Sequence, residues 1–417
     1  MSFQQGLSGL NASSKNLEVI GNNVANANTI GAKSSRAEFG DMYAAAINGA
    51  SIGIGVNLQA VTQQFTQGNI TTTDSPLDLA INGNGFFEVS NGAQTLYTRN
   101  GQFQADKDGF LVSDAGLKLV GYPAAKDGTI QPGAAVPLQL PTAGVDPNVT
   151  ANISIEMTLD SRKATTLVAA TPQVNFSDAK TYNDATSVTV FDAKGQDVAV
   201  TYYFQKASTD TWNVYATANG TPVATDAVGN PVPVTTITFP PNGGTPTAPL
   251  GSVPIDIPST TNAAGATTLP ISGVALDLTG ATQYGSGFGV TRIAQDGFAA
   301  GQLTGVTIEK SGIVMATYSN GQSKPAGQLE LATFRNPQGL SPLGGNLWAR
   351  SAGSGDPTVG TPSSGNIGAL QAGALEESNT DLTGELVNMI TAQRIYQANA
   401  QTIKTQDQVL QTLVNLR

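Results

Sequence analysis

The C-terminal part of the chain carries a narrow apolar stripe. Its members recur every seven positions, at Leu382, Met389, Tyr396, Ile403 and Leu410. A seven-residue repeat sustained over successive heptads is typical of the seam of a coiled coil. Residues 379–417 contain no proline, and Ser378 with Asp381 fits a capping box. The pattern predicts a helix over about 380–416. A core helix of an ordinary domain is the alternative, and the narrowness of the stripe favours the seam.

The N-terminal segment has a weaker form of the same repeat, at Phe3, Leu10, Leu17 and Val24. Many of the positions between these residues are Gly or Asn. In a helix interior, Gly or Asn costs about 0.5–1 kcal/mol relative to Ala. Alone in water, such a segment should barely hold a helix. We therefore predict that it becomes helical when it meets a partner helix, and the C-terminal stripe is the obvious partner.

The middle of the chain has the pattern of β-structure. Asn-Gly and Asp-Gly pairs recur between short alternating apolar runs, which is the strongest local signal for hairpins. One example is the pair of runs 188–190 and 198–204, which flank a turn at Asp192–Gly195. Residues 207–291 contain no Lys or Arg. Their apolar alternation favours a β-sandwich-like module with long loops, and disorder is the alternative.

These patterns predict a mixed α and all-β multidomain chain, in which the terminal helices form a coiled-coil pair around nested, discontinuous, sandwich- or barrel-like β-domains. The predicted segments are helix 1–30, joint 31–70, first part of one β-domain 71–145, inserted β-domain 146–284, second part of the first β-domain 285–358, joint 359–374, and helix 375–417.

Composition restricts the chemistry of the chain. The 417 residues include 20 Lys+Arg and 30 Asp+Glu, for a net charge of −10, and only 12% of residues are charged. An acidic balance with few cations argues against nucleic acid and against anionic membranes. There is no His and no Cys. This excludes a Ser-His-Asp triad, a thiol nucleophile, a disulfide and the usual zinc sites, and it leaves carboxylate-only chemistry.

A search for motifs predicts no catalytic, cofactor-binding or metal residue. Residues 49–53 match GxSxG, but no His can activate Ser51, so a flexible joint is the better interpretation. Residues 106–109 resemble half of a calcium loop and are interpreted as a turn. Glu376 and Glu377 are interpreted as compensating a helix dipole at the start of the C-terminal helix. The chain begins without the apolar region of a signal peptide and has no apolar stretch long enough for a membrane helix.

Both ends of the chain resemble the flagellar rod and hook proteins. The terminal motifs are NNVANANTIGAK at 22–33 and LEESNTDLTGELVNMITAQRIYQ from Leu375 onward. Inside them, SPLDLAINGNGFFEVS at 75–90 and YTRNGQFQADKDGFLVSDAGLKLVGY at 97–122 are similar to the inner β-domain of that family. The resemblance covers most of 1–145 and 285–417, whereas 146–284 matches mainly by position. The chain length and the insert favour the hook members over the shorter rod proteins.

The resemblance implies a structural, non-enzymatic subunit of a helical polymer. In such proteins the terminal helices line a tube around an export channel, and the curved, flexible tube transmits motor torque to the filament. The expected partners are other copies of the chain, the distal rod protein, a hook-cap scaffold, the hook–filament junction proteins and the flagellar export apparatus, with no cofactor, nucleic acid or membrane insertion. The expected location is the extracellular hook, reached without a cleaved signal peptide.

Two sets of residues are predicted to serve this assembly. The predicted seam consists of Phe3, Leu10, Leu17 and Val24 on one side and Leu382, Met389, Tyr396, Ile403 and Leu410 on the other. The predicted hinge residues are Gly31, Gly49, Gly53 and Gly55. Two alternatives are another flagellar axial component, such as a distal rod or hook-associated protein, and a secreted glycosidase that depends on paired carboxylates.

Overall fold

Two compact units make up the chain. The computed structural model describes residues 2–44, 52–125, 128–169 and 171–415. Unit 1 comprises Met1–Thr142, Thr304–Thr317 and Ser323–Arg417, and unit 2 comprises Ala143–Leu303 and Tyr318–Gln322. Unit 1 contains helices α1 (Ser2–Ala25) and α2 (Leu382–Asn415), one near each end of the chain. Within the described residues, neither helix combines the length and the hydropathy that a membrane span requires.

The two helices pair in antiparallel fashion. Near one end of the pair, Gly6 lies against Ile403, and near the other end the amide of Asn23 donates a hydrogen bond to Glu385 over 3.2 Å. The predicted capping box at the start of α2 is wrong. The carboxylate of Asp381 accepts from the backbone N–H of Thr383 at 3.0 Å and is itself the N-cap. Ser378 instead contacts the hydroxyl of Thr380.

A long hairpin occupies much of the segment that the sequence predicted as a joint. Strands β1 (Ser35–Ala44) and β2 (Ile52–Gln63) pair antiparallel, with two bulges. The hairpin contacts α1, because the side-chain amide of Gln5 donates to the carbonyl oxygen of Gly53 at 2.5 Å and the N–H of Val56 donates to the hydroxyl of Ser8 at 3.3 Å. The first part of the chain therefore forms a helix supported by a two-stranded ribbon.

The other strands fall into three groups along the chain. The first group, in unit 1, is β3 (Ile70–Thr72), β4 (Leu79–Asn82), β5 (Phe86–Ser90), β6 (Thr95–Thr98), β7 (Phe103–Ala105), β8 (Leu111–Ser113), β9 (Lys118–Pro123) and β10 (Val136–Pro137). The second group, in unit 2, is β11 (Asn152–Asp160), β12 (Asp184–Phe191), β13 (Asp197–Ser208), β14 (Thr211–Ala218), β15 (Thr221–Pro222), β16 (Thr235–Thr238), β17 (Val253–Ile257), β18 (Ile271–Asp277), β19 (Thr282–Tyr284) and β20 (Gly289–Gln295). The third group is β21 (Leu303–Ile308), β22 (Ile313–Tyr318), β23 (Ser323–Leu329), β24 (Leu331–Thr333), β25 (Ser341–Gly344), β26 (Leu347–Ala349), β27 (Thr358–Gly360), β28 (Ala369–Ala372) and β29 (Ala374–Glu376).

Unit 1 is organised around one large sheet, with the strand order β21-β22-β23-β9-β5-β6-β26-β25 and smaller strands attached to β5, β8 and β9. Its core is formed by fully buried aliphatic and aromatic side chains, including Leu79, Phe87, Leu119 and Leu331. Two short pairings, β4 with β28 and β3 with β29, join the segment after the hairpin to the segment before α2. These pairings hold the segment that follows the hairpin beside the segment that leads into α2.

Unit 2 is a β-sandwich, and the low-charge stretch contributes strands to both of its sheets instead of forming a module by itself. One sheet has the order β17-β18-β11-β19, with β20 beside β11, and the other has β12-β13-β14-β15, with β16 beside β14. The predicted hairpin is present, because Val190 in β12 pairs with Val198 in β13. Side chains from both sheets share one core, and the indole N–H of Trp212 donates to Gln283 at 2.6 Å. Among the described strands of both units, no sheet closes into a barrel.

Candidate assembly site

The face that α1 turns towards α2 is made largely of small and polar residues. Its buried positions are Gly6, Ser13, Ile20 and Asn23. A Cβ at Gly6 would lie 3.0 Å from Cγ1 of Ile403, and a Cβ at Gly9 would lie 2.9 Å from the amide of Asn399. The two helices therefore approach so closely that a larger side chain at either position would have to displace Ile403 or Asn399.

Most of the predicted seam residues lie beside this contact face. Ile403 is half-buried and contacts Gly6 across the pair. Leu10, Leu17, Val24 and Met389 are half-buried, whereas Phe3, Leu382, Tyr396 and Leu410 are exposed. Seven-residue spacing also relates Gly6 to Ser13 and Ile20, so the chain has two parallel repeats on α1. The repeat with small residues holds the buried positions, and the apolar repeat beside it is only partly covered within the chain.

Helix α2 exposes further large apolar side chains. These are Leu386, Val387, Ile390, Ile395, Val409 and Val414, of which Val414 is 74% exposed. Isolated exposed apolar residues are ordinary, but six more on a single helix leave more apolar surface in water than a surface helix usually exposes, and such surface marks an interaction site. The helix pair of a single chain is thus only partly covered by its own residues.

A buried carboxylate connects the segments that adjoin the two helices to the β-structure of unit 1. Glu376 lies in β29, and its Oε1 accepts from Lys33 Nζ at 2.6 Å and from the N–H of Gly68 at 2.9 Å. Its Oε2 accepts from Arg99 Nη1 at 3.0 Å. Its backbone carbonyl accepts from the N–H of Gly31 at 2.8 Å. Four segments that are distant in sequence therefore meet at one residue.

The electrostatics of this cluster follow from its burial. The side chains of Lys33 and Glu376 are 0% exposed, and that of Arg99 is 4% exposed. Loss of water lowers the pKa of Lys33 and of Arg99, and the attraction of Glu376 opposes this effect for both. Lys33 also donates to the carbonyl of Thr66 at 2.8 Å. The carboxylate is thus the anionic partner that makes burial of these two cations possible.

The prediction that Glu376 compensates a helix dipole is wrong. Glu376 lies in a strand, and α2 begins six residues later, at Leu382. The sequence placed the residue correctly beside the helix but could not show that β3 pairs with β29 and draws it into the interior. Lys33 and Arg99 escaped notice altogether, although each stands within a motif that carries the resemblance to the flagellar proteins.

The predicted hinge residues lie in different surroundings. Gly31 has φ +71°, and a Cβ there would contact the backbone of Arg99 and Asn100. Gly53 and Gly55 lie in β2, and Gly55 has φ +130° and faces Ser8 of α1. Gly49 lies outside the described residues, as does Ser51. A hinge role for the four glycines stays a prediction.

A pair of buried carboxyl groups occupies the sheet of unit 1. Glu88 in β5 and Glu330 before β24 are 6% and 3% exposed. Burial, the hydrogen bond to Glu330 and the charge of Glu330 raise the pKa of Glu88 to about 8. Burial also raises the pKa of the neighbouring Tyr97 to about 12. Both carboxyl groups are buried inside the sheet, where a polysaccharide chain could not reach them.

This carboxyl pair predicts an unusual pH dependence for unit 1. Between the ordinary pKa of 4.5 and about 8, the folded chain keeps a proton on Glu88 that the unfolded chain releases. The free energy of unfolding should therefore fall as pH rises through this window, by up to about 1.4 kcal/mol per pH unit, and level off above it. Urea unfolding of the full chain between about pH 5 and pH 9 measures the slope. Glu88→Gln should flatten it, and parallel curves for the two proteins would contradict the assignment.

The described residues contain no cluster of side chains that could bind a metal ion. No group of three or more Asp or Glu side chains in the described part of the chain is arranged to hold an ion. The segment that resembles half of a calcium loop is a turn, as predicted, because Asp106 Oδ1 accepts from the backbone N–H groups of Asp108 and Phe110 at 2.9 and 2.8 Å.

Four family models match successive parts of the chain. The family described as "Flagella basal body rod protein" matches residues 3–33, and "Flagellar hook protein FlgE/F/G D1 domain" matches 80–164. "Flagellar basal body protein FlaE D2 domain" matches 158–298, and "Flagellar basal body rod FlgEFG protein C-terminal" matches 371–416. The matched models define the class as the axial proteins of the bacterial flagellum.

Relatives that align over their full length identify the family within this class. The chain is 43% identical to the flagellar hook protein FlgE of Salmonella typhimurium and 42% identical to that of Escherichia coli, and each alignment covers 100% of both proteins. The crystal structure of the Helicobacter pylori flagellar hook protein FlgE2 has a similar fold, with a TM-score of 0.51 at 15% identity over 73% of this chain and 100% of that chain. The chain belongs to the flagellar hook protein family.

Proposed function

We propose that this chain is the structural subunit of the flagellar hook. Copies of it polymerise helically into a curved, flexible tube that surrounds the export channel and transmits motor torque to the filament. The observation that carries the proposal is the incomplete cover of the helix pair, whose exposed apolar residues on α2 need neighbours. Full-length similarity to hook proteins supports the same assignment.

The predicted seam residues act, in this proposal, between copies of the chain as well as within it. Small residues of α1 hold α2 close, and the apolar repeats of both helices are then presented to adjacent subunits. A repeated contact of this kind is heterologous, and a heterologous contact whose rotation does not close on itself extends into a helical polymer. The proposed partners beyond the chain itself are the distal rod protein, the hook-cap scaffold, the junction proteins and the export apparatus, and the proposed location is the extracellular hook.

Replacement of Ile403 by Asp tests this function. The variant places a charge at the half-buried contact with Gly6, so tubes should be absent at concentrations at which the wild-type chain forms them. Both units should keep their cooperative unfolding, because Ile403 belongs to none of their hydrophobic cores. Electron microscopy and pelleting measure assembly. Val228→Asp, at an 86% exposed position in unit 2, is the matched control and should assemble normally. Normal tubes from Ile403→Asp would contradict the seam assignment.

A further inference from the structure

A cleft of about 230 Å³ lies between α1, the start of β1 and α2. One part of its wall is apolar, with Ile20 and Ile395, and another part is polar, with Asn16 and Thr391. Glu385 lines the cleft at the first turn of α2. The combination suits a long side chain that has an apolar stem and a polar head.

The carboxylate of Glu385 is only half satisfied within the chain. Its Oε1 accepts from Asn23 at 3.2 Å, whereas its Oε2 is buried and has no hydrogen-bond partner. A buried acceptor without a donor is costly, and a charged one especially so. The cation on the wall of the cleft, Arg36, is engaged with Glu38 at 2.8 Å. Among the described residues, no cation pairs with Glu385.

Arg394 is a cation that lacks an anionic partner among the described residues. It is exposed on α2 and makes no ion pair or side-chain hydrogen bond with any described residue. It follows Glu385 by nine residues, which corresponds to about 900° of helical rotation, so that the two side chains leave α2 on opposite sides and about 13.5 Å apart along its axis. Arg394 and Glu385 of one chain therefore cannot meet.

We propose that the Glu385 cleft of one subunit receives the Arg394 side chain of a second copy of this chain. This inference rests on the proposed function and specifies one of its contacts. The planar guanidinium can donate two parallel hydrogen bonds to a carboxylate while its stem lies along Ile20 and Ile395. Because donor and acceptor lie on opposite sides of α2, each subunit offers both halves of the contact, which is therefore heterologous and can repeat from copy to copy. Lys404 has no planar guanidinium to donate two parallel hydrogen bonds, and it does not lie on the side of α2 opposite Glu385.

A mutant cycle on tube assembly tests the contact. Glu385→Gln, which keeps an acceptor for Asn23, and Arg394→Gln should each raise the critical concentration for assembly about tenfold or more. The double variant should raise it no further than either single variant, because both changes remove one contact. Lys404→Gln is the control and should stay within about twofold. Effects that multiply in the double variant, or single variants that assemble like the wild type, would overturn the proposal.

Cross-linking supplies an independent readout, since the chain contains no cysteine. Subunits with Glu385→Cys mixed with subunits with Arg394→Cys should form heterodimers with a short bismaleimide in assembled tubes, and a Lys404→Cys partner should not. Absence of the Glu385–Arg394 product from intact tubes would refute the contact while leaving the proposed function in place. A wild-type chain that forms no tubes would instead refute the proposed function.

Discussion

Glu376→Gln should destabilise unit 1 by about 3–5 kcal/mol, because it leaves two buried cations without their anion. The carboxylate joins Lys33 to Arg99 at a point where both side chains are almost wholly buried. For a unit of this size, the loss corresponds to a fall in melting temperature of roughly 6–20 °C. Differential scanning calorimetry of the full chain measures the effect, and the transition of unit 2 serves as an internal reference.

Two further variants separate charge from packing at this position. Glu377→Gln removes the adjacent, half-buried carboxylate, whose contact with Asn69 spans 3.3 Å, and should change the stability by less than about 1 kcal/mol. Lys33→Met combined with Glu376→Gln should recover part of the loss, because one of the two uncompensated cations is gone. Equal melting temperatures for Glu376→Gln and the wild type would show that the cluster does not hold the junction together.

Gly9→Leu should disrupt the helix pair and weaken the assembly of tubes. A Cβ at this position already lies within 3.0 Å of three atoms of the Asn399 side chain, so a leucine forces α1 away from α2. The critical concentration for assembly should rise more than tenfold. Protection of α1 and α2 from limited proteolysis in the single chain reports the pairing, and pelleting reports assembly.

Gly21→Leu is the matched control within the same helix. Apart from the adjacent backbone of α1, no atom of the described residues lies within 4 Å of a Cβ at Gly21. Both substitutions raise the intrinsic helix propensity by up to about 1 kcal/mol, so propensity alone would strengthen α1 in each case. Protection of α1 should therefore increase or stay unchanged in Gly21→Leu and be lost in Gly9→Leu. Equal protection in the two variants would contradict the close approach at Gly9.

The contrast between these glycines shows what local patterns can predict, which is the two helices, and what they leave open, which is the contact between them. The seven-residue repeats of Leu382 to Leu410 and of Phe3 to Val24 indicated two helices, and the structure has them. The same repeats suggested that the apolar stripes meet each other. Apolar patterning shows which residues require cover, but it does not show which surface supplies the cover. The structure covers the face of α1 that allows the closest approach and exposes Phe3 and Leu410.

Local sequence patterns could not predict the hairpin of β1 and β2 or the burial of Glu376, for a related reason. Residues 35–63 alternate irregularly because two bulges interrupt the pairing and because α1 contacts the ribbon. Glu376 follows Leu375 in a strand of three residues, which is too short to have a recognisable period. Its partner strand, β3, lies about three hundred residues earlier in the chain.

By itself, the sequence determined the two terminal helices, the β character of the middle of the chain and the family resemblance of the two ends, because these depend on short-range periodicity, turn residues and motifs. The tertiary structure alone decided which face of α1 meets α2, which charges are buried at Glu376 and which carboxylate, Glu385, keeps an unsatisfied oxygen. The physical reason is that close approach, burial and pairing of charges are set by residues far apart in the chain, whose separation no local pattern records.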